Sequence, residues 1–264
     1  MAPALVIEGI AKRFGDTAAL AGLDLEVAPG EVFGLVGPDG AGKTTAMRLA
    51  AGLMRPDAGR ITVLGRDVPA RIAEVRPRVG YMPQQYSLYG DLSVAENLRF
   101  FAGMYGVPRG VFREREARLL GMAHLAEFRE RPAAALSGGM YKKLALACAL
   151  VHEPELLLLD EPTNGVDPVS RRELWAFLRE QVGAGVAVLY CTPYMDAAAR
   201  CDRVGLVVEG RIRAPGRPAD LVAAPLLHAE ETDRLSADAR NHHAVARFAL
   251  LLAQIAIEDP ARHQ

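Results

Sequence analysis

Lysine is almost missing from this chain. Only Lys12, Lys43, Lys142 and Lys143 occur among 264 residues, and the other basic side chains are arginines. Each lysine therefore stands out. An excess of positive charge is missing too: the formal net charge is -1, with 24% of residues charged. That balance argues against a protein that works mainly by gripping the phosphate backbone of nucleic acid. Cysteine is scarce. Cys148, Cys191 and Cys201 are scattered and odd in number, without CxxC or zinc-ligand spacing. Buried free thiols in a reducing cytosol are the expectation. No apolar run nears the ~18 residues needed to span a bilayer, so any membrane role must come through a partner. The opening residues, MAPALVIEG, hold no basic stretch before an apolar core, and no signal peptide is expected. Internal repeats and low-complexity linkers are absent as well.

Half of the chain is hydrophobic, enough for a sizeable core. Val32 to Val36 is a short apolar run ending at Gly37, and helical spacing resumes from Thr44 to about Leu53. Further strand candidates are Val79 to Met82, Leu156 to Leu159, Val186 to Cys191 and Arg203 to Val208. Four leucines in a row, without alternation, suit a strand covered on both faces of a parallel sheet. Strands alternating with helices predict an α/β core. Residues 96 to 135 are rich in Arg, Glu, Ala and Leu at helical spacing, which predicts a mostly helical insert. Val245, Phe248, Leu252 and Ile255 predict a final amphipathic helix.

Gly37-Pro38-Asp39-Gly40-Ala41-Gly42-Lys43-Thr44 matches G-x-x-x-x-G-K-[ST] in full. Glycines admit backbone angles closed to other residues, so successive N–H groups can face one anion. The following helix adds its positive N-terminal end. Lys43 is placed to contact the β- and γ-phosphates of a nucleotide, and the Thr44 hydroxyl to hold Mg²⁺. Asp39 should repel phosphate, so its side chain is expected to point away. Behind the leucine run, Asp160 and Glu161 occupy a strand end, where ligands of open parallel sheets bind. Asp160 can anchor the Mg²⁺ shell, and Glu161 can orient or deprotonate an attacking water. Taken alone, adjacent acids there are often just solvated.

Leu136-Ser137-Gly138-Gly139-Met140 separates this chain from other phosphate-loop proteins. Ser137 is a natural N-cap, and the two glycines expose N–H groups at a helix start. The stretch resembles the signature of the ABC ATPase superfamily, and the resemblance covers roughly residues 5 to 222. It implies a P-loop NTPase core with a mostly parallel sheet, an N-terminal antiparallel β region and an inserted α-helical subdomain. The ATP-binding domain would span residues 1–224, with the insert at about 91–152 and a helical tail over 225–264.

The resemblance also implies function: an ATPase that binds ATP and Mg²⁺ and couples to a separate membrane-spanning permease subunit. Such a subunit sits peripherally on the cytoplasmic side of the cell membrane. It pairs head to tail with a second ATP-binding domain, identical or different. The signature residues Ser137, Gly138 and Gly139 of one domain then close on the γ-phosphate held by the other, while Gly37 to Thr45 cradle the nucleotide. Phe14 matches the aromatic that stacks on adenine, although a plain core or surface aromatic fits it nearly as well. Gln84 matches the glutamine that reaches Mg²⁺ and couples to the permease; its neighbour Gln85 fits Tyr-x-Pro-Gln less well. Asp167 matches the acid of the loop at the dimer interface, and with Pro168 it can equally start a helix. GPDGAGKTT, SLYGDLSVAENLRFFAGMYGV and DEPTNGVDPVSRRELW look like ABC-2-type exporters, and like the first half of tandem ATP-binding exporter proteins.

One position departs from the pattern. After the strand ending at Thr192 the family usually places a histidine that contacts the γ-phosphate, and here the residue is Pro193. Proline has neither a side-chain donor nor an N–H. The expectation is intact ATP binding with weak hydrolysis at this chain's own phosphate site. Two readings stay open: an energy-coupling ATPase, favoured by Glu161, and an ATP-gated, catalytically weak partner, favoured by Pro193. A soluble ABC protein acting on ribosomes or DNA fits less well, since the chain shows one unit, no sustained heptads and near-neutral charge. The tail after residue 224 resembles nothing recognisable.

Overall fold

The computed structural model describes residues 2–85 and 87–218; the expected C-terminal helix lies outside them. The chain opens with β1 (Leu5–Phe14) and β2 (Thr17–Val27), followed by β3 (Val32–Val36), α1 (Lys43–Ala50), β4 (Ala58–Val63) and β5 (Arg66–Val68). A short α2 (Ile72–Val75) leads to β6 (Val79–Met82). Three helices come next: α3 (Val94–Met104), α4 (Arg109–Met122) and α5 (Gly138–Leu150). The remainder alternates: β7 (Leu156–Asp160), α6 (Pro168–Gly183), β8 (Ala187–Thr192), α7 (Met195–Ala198), β9 (Arg203–Val208) and β10 (Arg211–Gly216).

Two sheets result. One is antiparallel, in the order β2-β1-β4-β5; the other runs β10-β9-β3-β8-β7-β6. In the second, β6, β7, β8, β3 and β9 are mutually parallel, and only β10 pairs antiparallel, with β9. This is a P-loop NTPase-like α/β core with an N-terminal antiparallel sheet and inserted helices. The leucine run shows how the core is made. In β7, Leu156 and Leu158 face α1 and the antiparallel sheet, whereas Leu157 and Leu159 face α5, α6 and the insert. All four are fully buried. A strand with both faces covered needs no polar alternation, which is why the run has none. In β8, Ala187, Leu189 and Cys191 divide from Val188 and Tyr190 in the same way.

The helix starts are written locally. Ser93 Oγ accepts from Glu96 N at 3.2 Å while Glu96 Oε2 accepts from Ser93 N at 2.8 Å, a reciprocal cap that begins α3. Asp167 Oδ1 accepts from Val169 N and Ser170 N at 3.0 and 2.9 Å, with Pro168 opening α6. The helix expected from Thr44 to Leu53 is shorter, because the backbone turns off after Ala51 and passes through Gly52 at φ 66°. Cys148, Cys191 and Cys201 are free and buried, as expected. Among the described residues no helix is long and apolar enough to cross a membrane.

Candidate functional site

β3 ends at Val36, and the chain crosses the carboxyl end of the parallel sheet as a loop before entering α1. Gly37 N donates to Thr192 O at 3.3 Å, which ties the loop to the end of β8. Gly40 and Gly42 take φ values of 80° and 103°. At Gly42 a Cβ would overlap the Ala19 carbonyl oxygen and approach Leu20 Cδ2 to 2.8 Å. Glycine is therefore required there by angle and by space. Pro38, Asp39 and Gly40 are exposed, so the Asp39 carboxylate sits in solvent, whereas Ala41, Gly42 and Lys43 are buried. Lys43 Nζ donates to the carbonyls of Gly37 and Pro38, both at 2.8 Å, folding the ammonium over the loop. Thr45 follows at the start of α1, half-buried.

The acidic strand end meets this loop. Thr44 Oγ1 donates to Asp160 Oδ1 at 3.2 Å, joining residues 116 apart in sequence. Asp160 Oδ2 is buried without a partner. Burial pushes the Asp160 carboxyl above its ordinary value, and the neighbouring Glu161 charge adds to this; Thr44, Lys43 and Arg48 act in the opposite direction. A hydroxyl beside a carboxylate with one unsatisfied oxygen suits a hard cation such as Mg²⁺, which takes one or two protein oxygens together with substrate phosphates. Glu161 adopts a left-handed φ of 49°, its N–H donates to Cys191 O at 3.0 Å, and its carboxylate accepts from Asn164 Nδ2 at 3.0 Å. A non-glycine residue there costs on the order of 1–2 kcal/mol. Such local strain is found where the surrounding structure fixes a working side chain.

A second group of residues lies across a cleft of about 710 Å³ lined by Gln84, Gln85, Leu136, Gly138, Lys142 and Asn164, among others. Ser137 Oγ accepts from Met140 N at 3.3 Å and caps α5. Gly139 has no room for a Cβ, which would run into Ser170 of α6. The signature is thereby packed against the helix that Asp167 starts. Gln84 is exposed on the loop after β6. That loop is gripped from α5: Tyr141 Oη accepts from Ser87 N and Leu88 N at 3.1 and 2.9 Å, and Lys142 Nζ donates to Gln84 O at 2.9 Å. Burial lowers the Lys142 ammonium, while the charges of Glu161 and Asp160 oppose that shift. Phe14 stands apart at the β1–β2 turn, exposed, with the Lys12 ammonium 5.9 Å from its ring centroid.

Residues 37–45, Asp160 and Glu161 are thus gathered in one place, and Gln84 with Gly138 in the adjoining cleft. The motifs did not announce Asn164, Tyr141, Lys142 or Tyr194, whose hydroxyl reaches Asn164 Oδ1 at 3.2 Å. The one available signal was the Lys142-Lys143 pair in a lysine-poor chain. Lys143 proves structural, buried and bonded to Glu173 at 2.7 Å.

Comparison with known proteins agrees with this geometry. The family described as ABC transporter matches residues 20–164. The chain is 44% identical over 214 residues to the probable multidrug ABC transporter ATP-binding protein YbhF of Escherichia coli, covering 81% of this chain but 37% of that protein. It is 40% identical over 221 residues to the Nod factor export ATP-binding protein I of Ralstonia nicotianae, covering 83% and 69%. Among solved structures, an ATP-binding subunit of an ABC transporter superposes with a TM-score of 0.76 at 30% identity, over 83% of this chain and 92% of that one. The cbiO1 subunit of Clostridium perfringens superposes with a TM-score of 0.77 at 28% identity, over 92% and 98%. Loop, acidic strand end, signature helix and fold converge on one conclusion: the chain belongs to the ABC transporter family.

Proposed function

We propose that the chain is the ATP-binding subunit of an exporter, driving a separate membrane-spanning permease from the cytoplasmic face and pairing head to tail with a second ATP-binding domain. The observation that carries this is the meeting of Thr44 and Asp160 beside the phosphate loop, with Asp160 Oδ2 left unpaired. In this reading the N–H groups of Gly37 to Thr45 hold the phosphates, and Lys43 exchanges its two loop carbonyls for β- and γ-phosphate oxygens. Thr44, Asp160 and Gln84 would hold Mg²⁺, whose chemistry is to neutralise charge developing on the phosphates. Phe14 would stack on the base. Ser137, Gly138 and Gly139 would meet the γ-phosphate held by the paired domain.

Glu161 would orient the attacking water. Nucleic acid is not a partner in this reading. Two observations support export through a permease. YbhF is named for multidrug transport and the Ralstonia protein for Nod factor export. Exposed Tyr89, Phe100 and Met104 also form an apolar strip on the loop after Gln84 and on α3. Tyr89 and Phe100 stack edge to face with centroids 4.6 Å apart, and an exposed strip of this kind suits a protein partner.

Pro193 supports the second part of the proposal, that hydrolysis here is slow. The position after β8 offers no donor to a γ-phosphate. The test compares the full chain with Pro193→His in calorimetry and in MgATP turnover. Both should bind MgATP saturably, and the histidine variant should turn over faster. Absent binding would refute the function as a whole. Equal turnover would refute the claim of slow hydrolysis and leave an ordinary energy-coupling ATPase.

A further inference from the structure

The residue after Pro193 returns a hydroxyl to the site. Tyr194 N donates to Thr192 Oγ1 at 3.0 Å, and Thr192 is buried at the end of β8. The tyrosine backbone is therefore pinned to the parallel sheet. Its hydroxyl donates to Asn164 Oδ1 at 3.2 Å. The amide of Asn164 in turn donates from Nδ2 to Glu161 Oε2 at 3.0 Å, and its backbone N–H donates to Glu161 O at 3.2 Å. Glu161 itself is 5% exposed. Among the described residues, Asn164 supplies the one side-chain hydrogen bond to that carboxylate.

The polarity of this chain is consistent from end to end. A tyrosine hydroxyl can donate to the amide oxygen, and once Oδ1 is engaged, the Nδ2 donors are left facing the acid. One carboxylate oxygen is then held and the other is left for water. We propose that Tyr194 is a positioning residue for Glu161, acting through Asn164. The inference rests on the proposed role of Glu161 in orienting the attacking water. Tyr194 does not touch the nucleotide in this arrangement; it limits the rotamers of the group that does the chemistry. Misplacing such a group lowers the rate of the chemical step rather than the affinity for substrate.

The test measures single-turnover cleavage of MgATP, with kcat and KM, on the full chain and on Glu161→Gln, Tyr194→Phe, Asn164→Leu and the Asn164→Leu/Tyr194→Phe pair. Glu161→Gln should abolish cleavage. Tyr194→Phe, which removes one oxygen and keeps the ring, should lower kcat about 3- to 10-fold, the worth of one neutral hydrogen bond, with KM for MgATP unchanged. Asn164→Leu breaks the same link without altering Tyr194 and should lose at least as much. The double variant should be no slower than Asn164→Leu alone, because the two residues act in series. Parental kcat in Tyr194→Phe, a loss expressed in KM, or losses that multiply in the double variant would each overturn the inference. Parental turnover in Glu161→Gln would instead sink the role of Glu161 itself, and a parent chain that cleaves no MgATP would sink both.

Discussion

Asp160→Asn offers the sharpest test of the site, because it should help the empty protein and disable the loaded one. Asp160 is 1% exposed, and its Oδ2 has no partner. Burial raises its pKa above the ordinary carboxylate value, with the Glu161 charge adding and Thr44, Lys43 and Arg48 opposing. The sign follows from linkage. An acid with a raised folded pKa binds its proton more tightly in the folded state than in the unfolded chain. Its favourable contribution is thus fully present below the ordinary carboxylate range and is lost as pH rises through the folded value. At neutral pH the charge is a net cost. Asparagine removes the charge but leaves a polar amide nitrogen unpaired where Oδ2 was. The recovery should therefore be about 1 kcal/mol, the low end of the cost of an unsatisfied buried group, at about 2–4 °C of Tm per kcal/mol for a domain of this size.

Thermal unfolding of both proteins across the acidic to neutral range, with and without MgATP, provides the assay. Without nucleotide the variant should melt higher at neutral pH, and the gap should close as pH falls into the carboxylate range. With MgATP the order should reverse. Binding at one hundred times Kd stabilises the parent by about 2.7 kcal/mol, and the variant should lose most of that gain because an amide is a poor ligand for Mg²⁺. A variant that melts lower than the parent at neutral pH without nucleotide would refute the electrostatic reasoning. One that keeps the full magnesium-dependent shift would refute the metal assignment.

Gly42→Ala should abolish the MgATP-induced rise in Tm and lower the nucleotide-free Tm, since alanine cannot hold φ 103° or clear the Ala19 carbonyl; parental affinity for MgATP by calorimetry would contradict this. Phe14→Ala should leave the nucleotide-free Tm unchanged, because the ring is 51% exposed, and should weaken ATP binding by about 5- to 150-fold, the worth of about 1–3 kcal/mol of base stacking. A fall in Tm without a loss of affinity would make Phe14 a packing residue only.

The phosphate loop was legible because its function lies in backbone angles, and those angles leave a local trace: glycine at positions 40 and 42, with a strand before and a helix after. β7 was legible for a related reason. Leu156 to Leu159 are buried on both faces, a condition that erases polar alternation. β1 was not legible from its residues. Its pairing with β2 shifts register between Ile7 and Ile10, between Ile10 and Ala11, and between Lys12 and Arg13. Gly9 sits within it at φ 58°. Each irregularity breaks the period of two that betrays a half-buried strand. Only the resemblance to a family supplied the antiparallel sheet.

Composition and local motif settled which chemistry this chain is built for, because a Gly-rich turn, a caged lysine and paired acids at a strand end are properties of neighbours in sequence. The contacts that arm the site are between strangers in sequence: Thr44 with Asp160, Lys142 with the Gln84 carbonyl, Tyr194 with Asn164. Side-chain hydrogen bonds form over about 3 Å, and chain order carries no record of such distances. The parallel sheet brings the ends of β3, β7 and β8 side by side, and that adjacency decided which residues meet.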